Sequence, residues 1–172
     1  QPIQPVQLSS SEALAKEDIQ PSSSEALAKE EPQTTPEESY SNKIFAIRLL
    51  ANQGYLPEAL LLCNEAIAVD KLALSFYFIR ASILQEMGKN PEAISSLKQS
   101  IYINPDYIMG HFTLGNLFIG QGNQKDAKRY FNNALGLLNK CEKEDILPES
   151  EGLSVKYIQE IIFANLQTQS AK

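Results

Sequence analysis

GYLPEALLLCNEA at residues 54–66, GKNPEAISSLKQS at 88–100 and GNQKDAKRYFNNA at 122–134 are three copies of one sequence pattern. Each copy begins with a glycine, and the three glycines lie 34 residues apart. A small residue follows each glycine by five positions, and a second follows by twelve. Small residues at fixed spacing let helices pack closely, and glycine suits a tight turn. The period therefore predicts one structural unit repeated three times. The small positions are Ala59, Ala93 and Ala127, then Ala66, Ser100 and Ala134.

This 34-residue pattern resembles the tetratricopeptide repeat (TPR), in which a glycine-containing turn joins two helices. The resemblance implies an all-α fold, a TPR α-solenoid of three helix-turn-helix repeats at about 40–73, 74–107 and 108–141. Beyond Leu138 the period stops, and residues 139–152 are predicted to form a loop. Ser154 and the apolar residues after it, at helical spacing, predict a helix at about 154–167. This capping helix would cover the apolar end of the solenoid. We therefore expect seven helices.

Residues 1–35 have a different character. They contain a tandem 13-residue duplication, 8–20 and 21–33, in which SSSEALAKE occurs twice. Few of these residues are apolar, so the sequence predicts a flexible acidic linker. Leu14 and Leu27 either dock elsewhere as short helices or belong to a spacer expanded by sequence slippage. Thr35, Pro36 and Glu38 form a capping-box pattern. The pattern predicts that the folded part begins at 36. The resemblance implies that this part, 36–172, is a TPR domain.

Charge and cysteine content narrow the possible partners. Residues 1–38 contain two of the 15 basic residues and eight of the 21 acidic residues, so the rest of the chain contains 13 of each. This balance predicts no binding to nucleic acid or anionic lipid. Apolar runs fall short of a membrane span, and the first residues do not resemble a secretory signal, so we expect no membrane insertion. Cys63 and Cys141 are far apart, which predicts reduced thiols in the cytoplasm. The missing initiator Met suggests a processed chain or a piece of a longer one.

The sequence offers no catalytic, cofactor-binding or metal-binding constellation. His111 is the single histidine, and its repeat position predicts a packing role. Cys63 aligns with Leu97 and Phe131 in the other repeats and is predicted to lie in the core. The glycines around Gly115 lack the preceding strand and the lysine of a phosphate-binding loop. We therefore expect no enzymatic activity and no cofactor in this chain.

The remaining candidate site is the concave groove, lined in TPR solenoids by the first helix of each repeat. An apolar groove bearing amides is suited to an amphipathic helix or an extended peptide. Phe78 and Phe112 occupy equivalent positions and either contact the peptide or are buried between repeats; the sequence leaves both open. Arg48 is the sole basic residue among the groove positions. The predicted groove residues are Arg48, Phe78, Ser82, Gln85, Phe112, Asn116 and Ile119, within a wider set that adds Ser41, Ile44, Asn52, Ser75, Glu86 and Met109.

The third repeat and the segment after it resemble one particular class of TPR-containing protein. HFTLG at 111–115, AKRYFNNALGLL at 127–138 and LPESEGLS at 147–154 are similar to the C-terminal TPR region of CheR-type chemotaxis methyltransferases. The resemblance covers about 44–167. These enzymes use S-adenosylmethionine to methylate glutamates of chemoreceptors, through a separate catalytic domain that has no counterpart here.

Two functions therefore remain as hypotheses. The first is the regulatory TPR domain of such a methyltransferase, with S-adenosylmethionine confined to the parent protein. Its partner would be its own methyltransferase domain, a chemoreceptor or another signalling protein. The second is a free-standing TPR adaptor or scaffold that binds a peptide in the groove.

Overall fold

The computed structural model describes residues 35–170, and the side chains of Pro36, Gln169 and Ser170 are not described. Within this range the chain forms seven α-helices, and its single β-type contact is a bridge between Ile146 and Ser154. The all-α solenoid of helix pairs with a capping helix is thus confirmed. The helices are α1 (Pro36–Asn52), α2 (Leu56–Val69), α3 (Leu74–Glu86), α4 (Asn90–Ile103), α5 (Ile108–Gly120), α6 (Gln124–Leu138) and α7 (Val155–Ser170).

The start of α1 follows from local chemistry. The Glu38 backbone N–H donates to Thr35 Oγ1 at 3.2 Å, and the Thr35 N–H donates to Glu38 Oε2 at 2.9 Å. This reciprocal pair is the predicted capping box, and it satisfies two backbone donors at the helix start. The predicted linker lies outside the described residues apart from Thr35, so its flexibility and the docking of Leu14 and Leu27 stay predictions.

The three turns form where the glycine spacing predicts them. Gly54, Gly88 and Gly122 have φ angles of 84°, 73° and 72°, a left-handed conformation that favours glycine. Beyond each glycine, the next backbone N–H donates to a carbonyl of the last turn of the preceding helix, at 2.8–2.9 Å. This hydrogen bond is that of a Schellman C-cap. Each turn therefore ends one helix and reverses the chain into its partner.

Small residues allow the helices to pack. Ala59, Ala93 and Ala127 are fully buried at equivalent positions. In the third repeat, an added Cβ on Gly115 would lie 2.4 Å from two ring carbons of Phe131, so only glycine leaves room for that ring. The repeat pattern therefore encodes close helix contacts as well as turns.

The C-terminal helix packs against the third repeat. Val155, Ile158 and Ile162 of α7 are fully buried in the same apolar cluster as Phe131 and Leu138. This contact is the predicted role of a capping helix. The helix begins at Val155 and continues to Ser170, one residue later and three residues further than predicted. No helix among residues 35–170 is long and apolar enough to cross a membrane.

Candidate functional site

A cleft of about 140 Å³ lies on the face formed by the first helices of repeats one and two. Arg48 and Asn52 of α1 are exposed at this cleft, as is Glu86 of α3, while Ser82 of α3 is half-buried. Three of the predicted groove residues, Arg48, Phe78 and Ser82, are thus brought together. The full lining is Arg48, Ala51, Asn52, Phe78, Ile79, Ser82, Ile83, Glu86, Glu149 and Glu151.

The two aromatic residues predicted in the groove are buried. Phe78 is 9% exposed and meets the Tyr107 ring edge-on, with 5.7 Å between centroids. Phe112 is 7% exposed and lies 6.4 Å from the Phe131 ring centroid. Their burial favours the alternative in which they pack between repeats. Phe78 also lines the cleft, with little of its surface exposed.

The other predicted groove residues lie outside this cleft. Gln85 is half-buried on α3, and Ile119 is half-buried against the apolar core. Asn116 accepts a hydrogen bond from Asn165 Nδ2 of α7 at 3.5 Å. The capping helix thus reaches the side of α5 that the repeat pattern assigns to the groove. The groove role of these residues stays a prediction.

A segment between α6 and α7 completes the cleft, and the sequence did not predict this position. Glu149 and Glu151 extend from residues 147–153, which we term the acidic segment. The Tyr107 hydroxyl donates a hydrogen bond to Glu149 Oε2. Ser150 is buried, and its Oγ donates to the carbonyl oxygen of Leu153 at 2.9 Å. The acidic segment is therefore held in a defined conformation.

The backbone of the acidic segment is unusual. Glu149 and Glu151 have φ angles of 63° and 56°. Side chains other than glycine seldom adopt this left-handed region, and such residues cluster at binding and switch sites. The sequence signal available was the LPESEGL motif itself, in which Pro148 and Gly152 flank the two glutamates.

The charges around the cleft are mostly negative. Three carboxylates, those of Glu86, Glu149 and Glu151, share it with the Arg48 guanidinium. Burial, followed by the nearby Glu149 carboxylate, raises the pKa of the Tyr107 phenol well above its ordinary value. Tyr107 therefore keeps its proton at every working pH and remains a donor to Glu149. The cleft therefore presents more negative than positive charge to a ligand.

The candidate reactive residues lie in the core, away from the cleft. Cys63 is buried, its thiol donates to the Phe76 carbonyl oxygen at 3.1 Å, and burial raises its pKa to about 12. A thiol with such a pKa is a poor nucleophile. His111 is buried with Nε2 2.9 Å from the Pro105 carbonyl oxygen, as a packing role requires. No group of three potential metal ligands occurs in the described part of the chain.

Comparisons with known proteins agree on the repeat. Residues 74–107 match the family model described as a tetratricopeptide repeat. No curated protein sequence matches the chain significantly. Similar solved structures exist, and at these identities they show the fold alone.

Three of these structures illustrate the likeness. MamA is 23% identical with a TM-score of 0.54, and the match covers 55% of this chain and only 55% of MamA. PcrH, solved in complex with the chaperone binding region of PopD, is 14% identical with a TM-score of 0.64 over 80% of this chain and 95% of PcrH. The second TPR of Spaghetti (RPAP3), bound to the HSP90 peptide SRMEEVD, is 21% identical with a TM-score of 0.52 over 56% and 89% of the two chains.

Proposed function

We propose that this chain is a protein-interaction module that binds a peptide carrying basic side chains in the cleft between α1, α3 and the acidic segment. The observation that carries the proposal is the surplus of carboxylates around that cleft. Glu86, Glu149 and Glu151 face a single guanidinium, that of Arg48. A lysine or arginine of the partner would neutralise this surplus, whereas an acidic residue would increase it.

The solenoid fold supports the proposal. PcrH and the second TPR of Spaghetti share this fold and were solved with bound polypeptide segments. The peptide bound to the latter, SRMEEVD, carries three acidic residues and one arginine. The cleft described here itself carries three carboxylates and one guanidinium, the same balance as that peptide. A peptide rich in acidic residues would therefore be repelled, and the partner should carry basic side chains instead.

Recognition would divide between backbone and side chains of the peptide. Arg48 and Asn52 can donate hydrogen bonds to peptide carbonyls, and the Ser82 hydroxyl can donate or accept. The small exposed part of Phe78 can provide an apolar contact in the cleft. Glu86 and Glu151 are exposed, so each ion pair with the peptide should stabilise the complex by about 0.5–1 kcal/mol. Two such pairs correspond to roughly a fivefold to thirtyfold difference in affinity.

The experiment is selection from a phage-displayed library of random 12-residue peptides on the immobilised full chain. We expect the selected peptides to be rich in lysine and arginine. Fluorescence anisotropy then gives the Kd of a selected peptide for the wild type and for Glu86→Gln with Glu151→Gln. The double variant should bind roughly fivefold to thirtyfold more weakly.

The matched control removes the same charge elsewhere. Glu58 and Glu92 are exposed in the first turns of α2 and α4, outside the cleft lining. Glu58→Gln with Glu92→Gln should leave the Kd within about twofold of the wild type, because distant surface charges are screened by salt. Selection of acidic peptides, or an equal response of both double variants, would overturn the proposal.

A narrower proposal concerns the parent protein. The resemblance to CheR-type enzymes, carried by the third repeat and the acidic segment, supports a regulatory domain of a chemoreceptor methyltransferase in the cytoplasm. S-adenosylmethionine would then bind the parent and not this chain. Isothermal titration calorimetry of the chain with S-adenosylmethionine should show no heat of binding. If affinity purification recovers no methyltransferase or chemoreceptor, the free-standing adaptor remains.

A further inference from the structure

Among the described residues, none covers the face between the two helices of the first repeat. A groove of about 510 Å³ lies there, on the side of α1 and α2 that points away from the second repeat. Its lining combines apolar side chains with the charged residues Lys43 and Glu65. The lining residues are Ser39, Asn42, Lys43, Ala46, Ile47, Leu62, Glu65, Ala66 and Val69.

The 34-residue period shows what covers this face elsewhere in the chain. Shifted by one period, the lining positions become Ala73, Phe76, Tyr77, Arg80, Ala81, Ser96, Gln99, Ser100 and Ile103, of which six are buried. Helix α2 packs on these positions: the Cys63 thiol donates to the Phe76 carbonyl oxygen, and Arg80 donates to Asn64. The second repeat thus receives a helix where the first repeat has a groove.

In the third repeat, too, the second helix of the preceding repeat packs on the equivalent face. Gly110 occupies the position equivalent to Asn42, and an added Cβ there would meet side-chain atoms of Ile101 and Ser100 at 3.1 Å. Both residues belong to α4, the second helix of the preceding repeat. The period therefore assigns a helix-sized occupant to the groove of the first repeat.

The uncovered face is wider than one helix. Phe45 and Leu49 of α1 are 69% and 45% exposed. One period later, Ile79 and Ile83 are 5% and 1% exposed, and α3, which carries them, packs against α1. The first repeat therefore lacks, among the described residues, both helices of a preceding unit. A helix pair with an apolar surface is the shape that fits.

We propose that a second copy of this chain covers this face, so that α1 and α2 of two copies pack together in a two-fold dimer. In a two-fold interface, residue i of one copy meets residue j of the other and the converse also holds. Lys43 and Glu65 suit that symmetry because they carry opposite charges on the two helices that line the groove. No salt bridge joins them within the described chain, where Arg129–Asp126 is the one ion pair. The remaining lining is mainly apolar, as a dimer interface requires.

The test is sedimentation equilibrium of the full chain. We expect a monomer–dimer equilibrium for the wild type. Lys43→Glu, or Glu65→Lys alone, would place like charges together twice in each dimer and should raise the dimer Kd about tenfold or more. The double variant Lys43→Glu with Glu65→Lys restores the opposite charges with their positions exchanged. Its Kd should return to within about threefold of the wild type.

Two further variants separate interface loss from misfolding. Leu62→Glu places a charge in the groove at an already exposed position and should abolish the dimer. Tyr102→Glu places the same charge at an 84% exposed position on α4 and should leave the dimer intact. Circular dichroism should show native helix content for all variants. A monomeric wild type overturns the proposal, as does a dimer that persists in Leu62→Glu or in both single charge variants.

Discussion

Replacing Gly115 by alanine should destabilise the protein, although alanine normally stabilises a helix interior. The exchange of glycine for alanine within a helix gains about 0.8–1 kcal/mol from propensity alone. At Gly115, however, the new Cβ would lie 2.4 Å from Phe131 Cδ1 and Cε1 and 2.9 Å from Cζ. Carbon atoms normally approach to about 3.5–4.0 Å, so the ring must move by about 1 Å. Phe131 is fully buried and cannot move without displacing its neighbours.

Overpacking of this kind costs about 1–3 kcal/mol, and two close ring carbons place it in the upper part of that range. After the propensity gain is subtracted, Gly115→Ala should lower the free energy of unfolding by about 1–2 kcal/mol. Urea denaturation followed by far-UV circular dichroism measures this change.

Gly136→Ala is the matched control, because Gly136 lies inside α6 and its added Cβ would meet nothing within 4 Å. That variant should be more stable than the wild type by about 0.5–1 kcal/mol. Adding Phe131→Leu to Gly115→Ala should reveal a favourable coupling of about 1 kcal/mol, because the smaller side chain makes room for the methyl group. If Gly115→Ala is as stable as Gly136→Ala, the tight contact with Phe131 is not a determinant of the fold.

Three further predictions follow from burial and hydrogen bonding. Burial raises the Cys63 pKa from 9.0 to about 12, so between these two pH values the thiol ionises only in the unfolded protein. From about pH 9 to 11 the free energy of unfolding of the wild type should therefore fall by about 1.4 kcal/mol per pH unit more than that of Cys63→Ala. If urea denaturation gives the same pH dependence of the free energy of unfolding for the wild type and for Cys63→Ala, this prediction is contradicted. Truncation after Gly152 removes α7, whose three fully buried side chains contribute about 1.5–3 kcal/mol each, so size-exclusion chromatography should show aggregation; a monomer with an unchanged Tm would argue against the capping role. Tyr107→Phe removes the donor to Glu149 and should speed hydrogen exchange in the acidic segment, whereas Tyr102→Phe should not; equal protection in both would refute that anchoring role.

The fold was predictable because its determinants are local and recur. Gly54, Gly88 and Gly122 each adopt a left-handed backbone that glycine allows without a steric penalty. Their identical spacing places the turns without any long-range information. The capping box at Thr35 is likewise a contact between residues three apart. The end of α7 was less predictable, because it lies beyond the repeat and no glycine or proline marks it.

The candidate site was only partly predictable. The repeat register places Arg48 and Ser82 on one face, and both line the cleft. It does not place Glu149 and Glu151, since the acidic segment is a single non-repeating connection whose path depends on contacts distant in sequence. Its hydrogen bond to Tyr107 joins residues 42 positions apart. Such a contact leaves no periodic signal.

Equivalent positions in different repeats differ in burial, and this difference shows what the repeat register cannot predict. The register fixes where a residue lies within its unit, but its burial depends on whether a neighbouring unit is present. Ser96 is fully buried and donates to the Tyr77 carbonyl oxygen, whereas its first-repeat equivalent, Leu62, is exposed. The exposed copy is therefore the more apolar one.

Terminal repeats that face water normally carry a polar outer surface. Here α7 covers the last repeat, but the first repeat exposes Phe45, Leu62 and Val69. Exposed apolar side chains grouped on one face mark an interaction surface more often than a solvated one. The two ends of the array thus meet the same physical requirement differently. The C-terminal end is covered by a helix of its own chain, and the N-terminal end, on the proposal made above, by a second copy.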